Sequence, residues 1–309
     1  MKFRNTCLIN VIFLLLVLPA EILLAQQKQL GIADSCNKLP VTSAPFNDDS
    51  DKLQFAIISD LWGGYRYGVF EEAVAELEQL QPQFVLSVGD LIDGATYDSE
   101  LLDKEWTEFD NLVSTLSMPF FYVPGNHDIA NAWMETKWKT RLGRPYYYFI
   151  HKNALFLCLD TQDGGSSSIS EGQIEYFIKV IKDNPDVSWT FIFMHRPVWL
   201  GDIGEEEGFR KIEEALSGKN YTVFSGHLHT LSNRIKNGNK YIILGSTGGG
   251  SDLRGEEFGE LDHISWVTLN SSGTPLILNL KLNCIVKEEW SGDTASNAKK
   301  LKIITSTPR

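Results

Sequence analysis

Five apolar runs in this sequence each end at a side chain that can bind a metal ion. Runs of this kind are typical of buried strands. Their ends carry two carboxylates, an amide and three imidazoles, at Asp60, Asp90, Asn126, His195, His227 and His229. Because ligands in open α/β sheets bind at the carboxyl ends of strands, we expect these six side chains to converge on one crevice. Four of the chain's six histidines, counting His127, fall in these motifs, which argues against chance.

The donor atoms in this set indicate which ions the crevice would hold. Mixed oxygen and nitrogen ligands suit Mn, Fe or Zn better than Ca, which prefers oxygen alone. Two divalent cations about 3.5–4 Å apart can lower the pKa of a water and clamp the oxygens of a phosphoryl group. Such a pair needs a shared carboxylate, and Asp90, central in the order and at a strand end, is the predicted bridge. The six side chains therefore predict a metal site in this crevice, and a second cation beside the first would suit it to hydrolysis.

The order of the motifs resembles that of the calcineurin-like metallophosphoesterases. That family has Asp-x-His, Gly-Asp-x-x-Asp, Gly-Asn-His-Asp, a lone His and Gly-His-x-His. The matching segments here are Asp60-Leu61-Trp62, Gly89-Asp90-Leu91-Ile92-Asp93, Gly125-Asn126-His127-Asp128, His195 and Gly226-His227-Leu228-His229. The resemblance extends from about Gln54 to Leu280. It implies an α/β fold, the four-layer α/β/β/α sandwich of two mixed sheets, and hydrolysis of phosphate mono- or diesters by a metal-activated water.

The same resemblance implies roles for individual residues. It implies that one cation is held by Asp60, Asp90 and His229. It implies that the other cation is held by Asp90, Asn126, His195 and His227. His127 would then be the general acid or a phosphate contact, with Asp128 as its orienting partner. Asp93 is expected to accept a hydrogen bond close to the metal ligands.

Two positions leave the interpretation open. Trp62 stands where the family's first motif has a histidine, and an indole is not a metal ligand. Either the first cation binds more weakly with extra water, or Asp93 substitutes, or only the second cation binds. In the last case the protein is a slow enzyme or a non-catalytic protein that binds metal and phosphorylated ligands. Arg196 either contacts phosphate or simply precedes the turn that Pro197 introduces.

Composition limits the class of protein. The 309 residues are 43% hydrophobic and 22% charged, which suits one large globular domain or at most two. The formal net charge is −12 and no long basic run is present, so nucleic acid is not the expected partner. A small phosphoester substrate is expected instead.

The N-terminus is typical of a signal peptide. Lys2 and Arg4 precede an apolar run, Val11 to Ala20, that is too short to span a bilayer comfortably. Cleavage after Ala25 would give an exported protein, periplasmic or extracellular, with no membrane span. An uncleaved N-terminal anchor is the alternative.

The chain is predicted to have four parts. These are the signal peptide (1–25), a polar leader (26–50), a metallophosphoesterase domain (51–287) and a polar C-terminal tail (288–309). Export would permit a disulfide between Cys36 and Cys284, although two cysteines alone do not establish one.

The segments between the motifs predict the elements that position them. Amphipathic helices are expected at 70–80, 99–116, 130–141, 170–183 and 205–216. The first helix joins two apolar runs into a βαβ unit, which implies a parallel pair of strands. Hairpins are expected at 146–160 and around Asn237-Gly238, with further strands between 241 and 280. Ser170 and Gln173 form a capping-box pattern at the start of the fourth helix.

Overall fold

The computed structural model describes residues 38–48, 52–165, 167–201, 206–270 and 273–282. The predicted signal peptide, both cysteines of the candidate disulfide and the predicted C-terminal tail lie outside these ranges. No helix in the described ranges is both long and apolar enough to cross a lipid bilayer.

The described residues form eleven strands and five α-helices. The strands are β1 (Leu53–Ile58), β2 (Val85–Ser87), β3 (Phe120–Phe121), β4 (Tyr147–His151), β5 (Ala154–Cys158), β6 (Trp189–Phe193), β7 (Tyr221–Ser225), β8 (Ser232–Lys236), β9 (Asn239–Ile243), β10 (His263–Leu269) and β11 (Leu276–Lys281). The helices are α1 (Val69–Leu80), α2 (Ser99–Val113), α3 (Ala132–Arg141), α4 (Glu171–Asp183) and α5 (Glu206–Ala215). All five predicted helices are confirmed, with small shifts at their ends.

The strands pair into two mixed sheets. The first has the order β11-β10-β1-β2-β3 and the second has the order β4-β5-β6-β7-β9-β8. β1, β2 and β3 are parallel, and so are β5, β6, β7 and β9. β10 and β11, like the edge strands β4 and β8, run antiparallel to their neighbours. Each parallel set therefore places the carboxyl ends of its strands at a single edge.

Aromatic rings pack the two sheets against each other. Phe55 of β1 stacks on Phe84, just before β2, with 5.2 Å between ring centroids. The same Phe55 ring meets Phe156 of β5 and Phe191 of β6 edge-on, at 5.3 and 5.1 Å. All four rings are fully buried. Because large buried aromatic side chains contribute strongly to core energetics, this inter-sheet layer is the centre of the fold.

Helices cover the outer faces of both sheets. On the first sheet, Phe70 of α1 stacks on Phe109 of α2, and Trp106 of α2 meets Trp138 of α3. On the second sheet, α4 and α5 bury an apolar cluster that includes Phe177. The order helix, sheet, sheet, helix confirms the expected four-layer sandwich.

Residues 38–48 pack on the domain, although the sequence placed them in a leader. Val41 forms an antiparallel bridge with Phe121 of β3, and Tyr122 donates its backbone N–H to the carbonyl of Pro40. Phe46 meets the ring of Phe84 edge-on at 5.7 Å. This segment covers the exposed side of β3, which protects an edge strand from pairing with other chains. The packed domain therefore begins before the predicted boundary at residue 51.

Two local predictions have different outcomes. The Asn237-Gly238 turn joins β8 to β9 as predicted, with φ of 53° and 78°, as a type I′ turn requires. Ser170 caps α4 by accepting a hydrogen bond from Gln173 N. The Gln173 side chain, however, pairs with the backbone N–H and carbonyl of Asp160. The capping box is therefore half formed, because Gln173 joins the helix to the end of β5 instead.

Candidate metal centre

The candidate ligands meet where the two sheets present the carboxyl ends of their parallel strands. Asp60, Asp90 and Asn126 follow β1, β2 and β3 of the first sheet, while His195, His227 and His229 follow β6 and β7 of the second. Backbone and side-chain contacts join the two sets. His195 Nδ1 donates to the carbonyl of Val88, at 2.9 Å, and His227 N donates to Asp60 Oδ1, also at 2.9 Å. The structure thus brings all six residues to one crevice.

Four of the six side chains form a tight group around His195 Nε2. This atom lies 3.0 Å from Asn126 Oδ1, 3.1 Å from Asp90 Oδ2 and 3.2 Å from His227 Nδ1. We call Asp90, Asn126, His195 and His227 the four-ligand group. Asp90, His195 and His227 are also the only three His, Cys, Asp or Glu side chains, among the described residues, whose ligand atoms all lie within 4.8 Å of one another.

The hydrogen-bonding capacity of the four-ligand group fits a cation. His195 Nδ1 uses its proton on Val88, so Nε2 is the atom at which a proton or a metal binds. Burial lowers the pKa of His195, but the adjacent Asp90 carboxylate outweighs it and raises the pKa to about 9. Burial and the nearby His195 lower the pKa of His227 to about 4. The single proton on His195 Nε2 thus faces three acceptor atoms, those of Asn126, Asp90 and His227. A divalent cation in place of that proton could be bound by all of these atoms.

The spacing of the donor atoms points the same way. Two ligands that bind a cation at about 2.1 Å, with about 90° between them, lie about 3.0 Å apart. The distances from His195 Nε2 to Asp90 and Asn126 are 3.1 and 3.0 Å. The residues present therefore fit a divalent ion held by mixed oxygen and nitrogen ligands.

The remaining two candidate ligands form a separate pair. His229 Nδ1 donates to the carbonyl of Gly250 at 2.6 Å, and its Nε2 faces Asp60 Oδ1 at 3.3 Å. Burial lowers the pKa of His229, but the Asp60 carboxylate raises it above the ordinary value overall. In the described part of the chain, no further His, Cys, Asp or Glu side chain completes a group of three with this pair. The pair is therefore an incomplete ligand set.

Trp62, which stands in place of a histidine, packs against apolar and aromatic side chains. Its indole is half-buried, packs against the apolar cluster under α1, α2 and α3, and stacks on Tyr65 at 4.7 Å. Its backbone N–H donates to the carbonyl of Asp90 at 3.1 Å. The backbone at position 62 is thus beside the crevice while the side chain is engaged with aromatic and apolar neighbours.

His127 is oriented by a backbone group rather than by the expected carboxylate. Its Nδ1 lies 2.6 Å from the carbonyl of Asp93, and its backbone N–H donates to Asp90 Oδ1 at 2.9 Å. The Asp128 carboxylate instead accepts the backbone N–H groups of Gly125, Leu91 and Ile92. Asp128 therefore stabilises the turn that carries His127, and the Asp93 carbonyl orients the His127 ring. Asp93 does accept a hydrogen bond here, but through its backbone carbonyl.

Several candidate ligands adopt backbone conformations that L-residues avoid. Asp60, Asp90, His227 and His229 have φ of 43°, 56°, 72° and 48°. Non-glycine residues with positive φ are uncommon, and such strain concentrates at functional sites because surrounding structure must enforce it. Four strained positions in one crevice therefore support a functional role for the crevice.

The motif glycines allow the crevice to close. A Cβ atom at Gly125 would overlap the backbone N and side chain of Asp90, and one at Gly226 would overlap the carboxylate of Asp60. These glycines are needed because the backbone passes directly against a ligand side chain.

Arg66 and Asp262 are two supporting residues that the sequence did not indicate. The Arg66 guanidinium pairs with both carboxylate oxygens of Asp262 at 2.5 Å and donates to the carbonyl of Gly249. This clamp holds the glycine-rich turn whose Gly250 carbonyl orients His229. The two residues are 196 positions apart, so only the fold reveals the pair.

A cavity of about 420 Å³ opens beside the incomplete pair. It is lined by Leu228, His229, Thr230, Gly250, Ser251, Asp252 and Glu260. Part of this lining, Ser251, Asp252 and Glu260, comes from the segment between β9 and β10.

A family model and two curated relatives match this chain. The model for the calcineurin-like phosphoesterases matches residues 53–231, more than half of the chain. A probable glycerophosphodiester phosphodiesterase, GpdQ, from Arcobacter nitrofigilis is 28% identical over 183 residues, which cover 53% of this chain and 62% of that protein. A 3′,5′-cyclic adenosine monophosphate phosphodiesterase, CpdA, from Haemophilus influenzae is 21% identical and covers 61% of this chain and 70% of that protein. The chain thus spans less than two thirds of the length of the first relative.

Solved structures share the fold at low sequence identity. A dimetal phosphatase from Danio rerio superposes with a TM-score of 0.58 at 15% identity, over 74% of this chain and 99% of that chain. Purple acid phosphatase PPD1 from yellow lupin, Lupinus luteus, has a TM-score of 0.56 at 13% identity, over 77% of this chain and 53% of that one. At these identities the likeness concerns the fold alone. With the family model matching most of the chain and the sandwich present, the chain belongs to the calcineurin-like phosphoesterase family.

Proposed function

We propose that this protein is a metal-dependent hydrolase of phosphoric esters that acts on small phosphate mono- or diesters. The observation that carries the proposal is the four-ligand group, in which acceptor atoms from both sheets face one another around His195 Nε2. Family membership supports the reaction class. GpdQ and CpdA are named as phosphodiesterases, which favours a diester, but the ligand set suits either ester class, so both are part of the proposal.

The proposed metal ligands fall into two sets, the four-ligand group and the pair of Asp60 and His229. The four-ligand group would hold one divalent cation, and Asp60 with His229 would contribute to a second, with Asp90 shared. The oxygen and nitrogen donors suit Mn, Fe or Zn. When bound, such cations supply an activated water and neutralise charge on the phosphoryl oxygens.

His127 is the proposed proton donor to the leaving group. The Asp93 carbonyl accepts a hydrogen bond from the Nδ1–H group, which fixes the orientation of the ring. Nε2 is then the ring atom that can pass a proton to the leaving group. The hydrogen bond from His127 N to Asp90 Oδ1 ties the ring's position to the shared carboxylate. The side chain is 28% exposed, so a substrate can reach it.

We propose that the first cation binds more weakly because Trp62 removes a ligand. The incomplete Asp60–His229 pair supports this interpretation. Substitution by Asp93 is not supported, because among the described residues its carboxylate forms no group of three with Asp60 and His229, and its side chain is 60% exposed. Extra water is then the remaining source of ligands for this cation.

The second candidate function is binding of metal and phosphorylated ligands without turnover. The same incomplete pair favours it, since a single cation can bind a phosphate group without activating a nucleophile on the opposite side. Elemental analysis and a turnover assay together distinguish the two candidate functions. Fewer than two bound cations and no hydrolysis across a broad phosphoester panel would favour the binding protein.

The activity test compares two histidines that lie at opposite ends of the second sheet. Purified protein with Mn²⁺ should hydrolyse aryl phosphate mono- or diesters, and His195→Ala should lower kcat/KM by more than about 100-fold because a ligand is lost. The control is His151→Gln, since His151 pairs with Ala154 at the amino end of β5, away from the crevice. Equal activity in wild type and His195→Ala would reject the proposed function.

We also propose that the protein is exported after cleavage following Ala25. The proposal is supported by the charged and apolar pattern of residues 1–25 alone. Intact-mass analysis of protein recovered outside the cytoplasm should show a mature chain that starts at Gln26. Recovery of the full-length chain in the membrane fraction would favour the uncleaved anchor instead.

A further inference from the structure

Arg196 places a guanidinium beside the four-ligand group. The residue follows His195 directly, and its backbone N–H donates to Thr161 Oγ1 at 3.2 Å. Burial lowers the pKa of Arg196, and the nearby Asp90 carboxylate opposes this effect. Burial, His195 and then the charge of Arg196 lower the pKa of His227. The guanidinium therefore lies within electrostatic reach of the place where a phosphoryl group would bind.

Much of the hydrogen-bonding capacity of this guanidinium is unused. Arg196 Nη1 donates to Ser167 Oγ at 2.5 Å, but Nε is buried and has no partner among the described residues. Within those residues Arg196 also forms no ion pair, whereas Arg66 and Arg254 each pair with a carboxylate. A buried donor without an acceptor is costly, so this arrangement indicates that the described residues do not supply every partner of the guanidinium.

The turn after β6 does not require the Arg196 side chain. Val198 N donates to the carbonyl of Arg196 at 2.8 Å, and Leu200 N donates to that of Pro197 at 2.9 Å. These are backbone contacts that another residue at position 196 would also make. The simpler role suggested by Pro197, a residue that merely precedes a turn, therefore leaves the buried guanidinium unexplained.

We propose that Arg196 binds a non-bridging oxygen of the phosphoryl group held at the four-ligand group. Guanidinium groups suit this task because their planar N–H donors match phosphate geometry and they remain charged when partly buried. Ser167 anchors one end of the guanidinium, and the side chain as a whole is only half-buried, so its other N–H groups, which have no partner among the described residues, can turn to the ligand. The inference rests on the proposed phosphoesterase function, but it concerns binding and is tested without turnover.

The test is calorimetric titration of inorganic phosphate into the full chain loaded with Mn²⁺. The variants are Arg196→Met, Arg196→Gln and Ser167→Ala, with Arg234→Met as the matched control. Arg234 is exposed on the edge strand β8, so its replacement makes the same charge change away from the crevice. Bound Mn²⁺ is measured for each variant by elemental analysis, and folding by circular dichroism.

Loss of Arg196 is expected to weaken phosphate binding by roughly 10- to 100-fold, the range for a hydrogen bond to a charged group. Mn²⁺ content should be unchanged, Ser167→Ala should weaken binding less than Arg196→Met, and Arg234→Met should match wild type. If Arg196→Met does not fold, Arg196→Gln gives the same comparison.

Three results would overturn the inference. The folded Arg196 variants could bind phosphate with wild-type affinity, Ser167→Ala could lose as much phosphate affinity as Arg196→Met, or the wild type could bind no phosphate. The proposed function fails separately, if the metal-loaded wild type shows no hydrolysis while its phosphate binding still depends on Arg196.

Discussion

Acidification should destabilise the fold through His263, which is fully buried behind the glycine-rich turn. Its Nε2 accepts the backbone N–H of Gly245 at 2.9 Å, and Nδ1 lies 3.4 Å from Ser265 Oγ. Ser265 donates its own proton to Asn279, so its oxygen is available to accept from Nδ1. The neutral ring with its proton on Nδ1 thus satisfies all partners, and a second proton on Nε2 would displace Gly245.

The magnitude follows from the pKa of His263 in the folded and unfolded chain. Burial lowers the folded pKa from 6.5 to about 4, despite an opposing effect of Asp262. A lowered folded pKa means that the stabilising contribution is complete above the unfolded pKa. It is lost as the pH falls from there towards the folded pKa. Linkage then gives a loss of about 2 kcal/mol between about pH 7.5 and pH 5, and about 3.4 kcal/mol well below pH 4.

Urea unfolding of the wild type and His263→Gln, in the presence of a chelator, measures this contribution. The glutamine amide oxygen can accept the Gly245 N–H but does not titrate, and all other titrating groups are common to both proteins. We expect the free energy of unfolding of the wild type to fall by about 2 kcal/mol more than that of the variant between about pH 7.5 and pH 5. Parallel pH profiles for the two proteins would refute the reasoning.

Two further substitutions test the crevice directly. Trp62→His should raise the content of tightly bound Mn²⁺ towards two ions per chain, because it restores an imidazole near Asp60 and His229; two ions already bound by the wild type would contradict the weak first site. Gly226→Ala should lower metal content and cost roughly 1–3 kcal/mol in urea unfolding, because its Cβ would overlap the Asp60 carboxylate. Gly273→Ala, where the added Cβ meets no atom within 4 Å, is the matched control for Gly226→Ala, and equal effects of the two would contradict the role given to close packing.

The strand ends were predictable because sequence patterns report them directly. An apolar run such as Phe84 to Val88 marks a buried strand, and the polar residue after it, Asp90, must then lie at the sheet edge. The two mixed sheets followed from the family resemblance and from the order of parallel and antiparallel segments. The structure brings the predicted ligands of both sheets together, although their roles in metal binding stay predictions.

The supporting contacts were not predictable, because backbone groups carry no residue signature. His195, His229 and His127 are oriented by the carbonyls of Val88, Gly250 and Asp93, which any residue would offer at those positions. The family resemblance assigned the orientation of His127 to Asp128, whereas the structure gives it to the carbonyl of Asp93.

Long-range side-chain pairs were hidden for a related reason. The Arg66–Asp262 clamp depends on the antiparallel pairing of β1 with β10, which brings the segment after β1 close to the segment before β10, and neither residue lies in a motif. Residues 38–48 looked like a polar leader because only a few apolar side chains, including Leu39 and Phe46, tie them to the core. Such sparse anchoring gives no periodic signal.

The division of the four-ligand group between the sheets has a mechanical consequence. Asp90 and Asn126 belong to one sheet, and His195 and His227 belong to the other. An ion held by all four would act as a cross-link between the two halves of the sandwich. Any loosening of the aromatic layer between the halves would then separate the donors and release the ion while each sheet was still intact. The amount of metal that stays bound during gradual unfolding would therefore report when the two sheets separate. Removal of the metal by a chelator would make this separation easier.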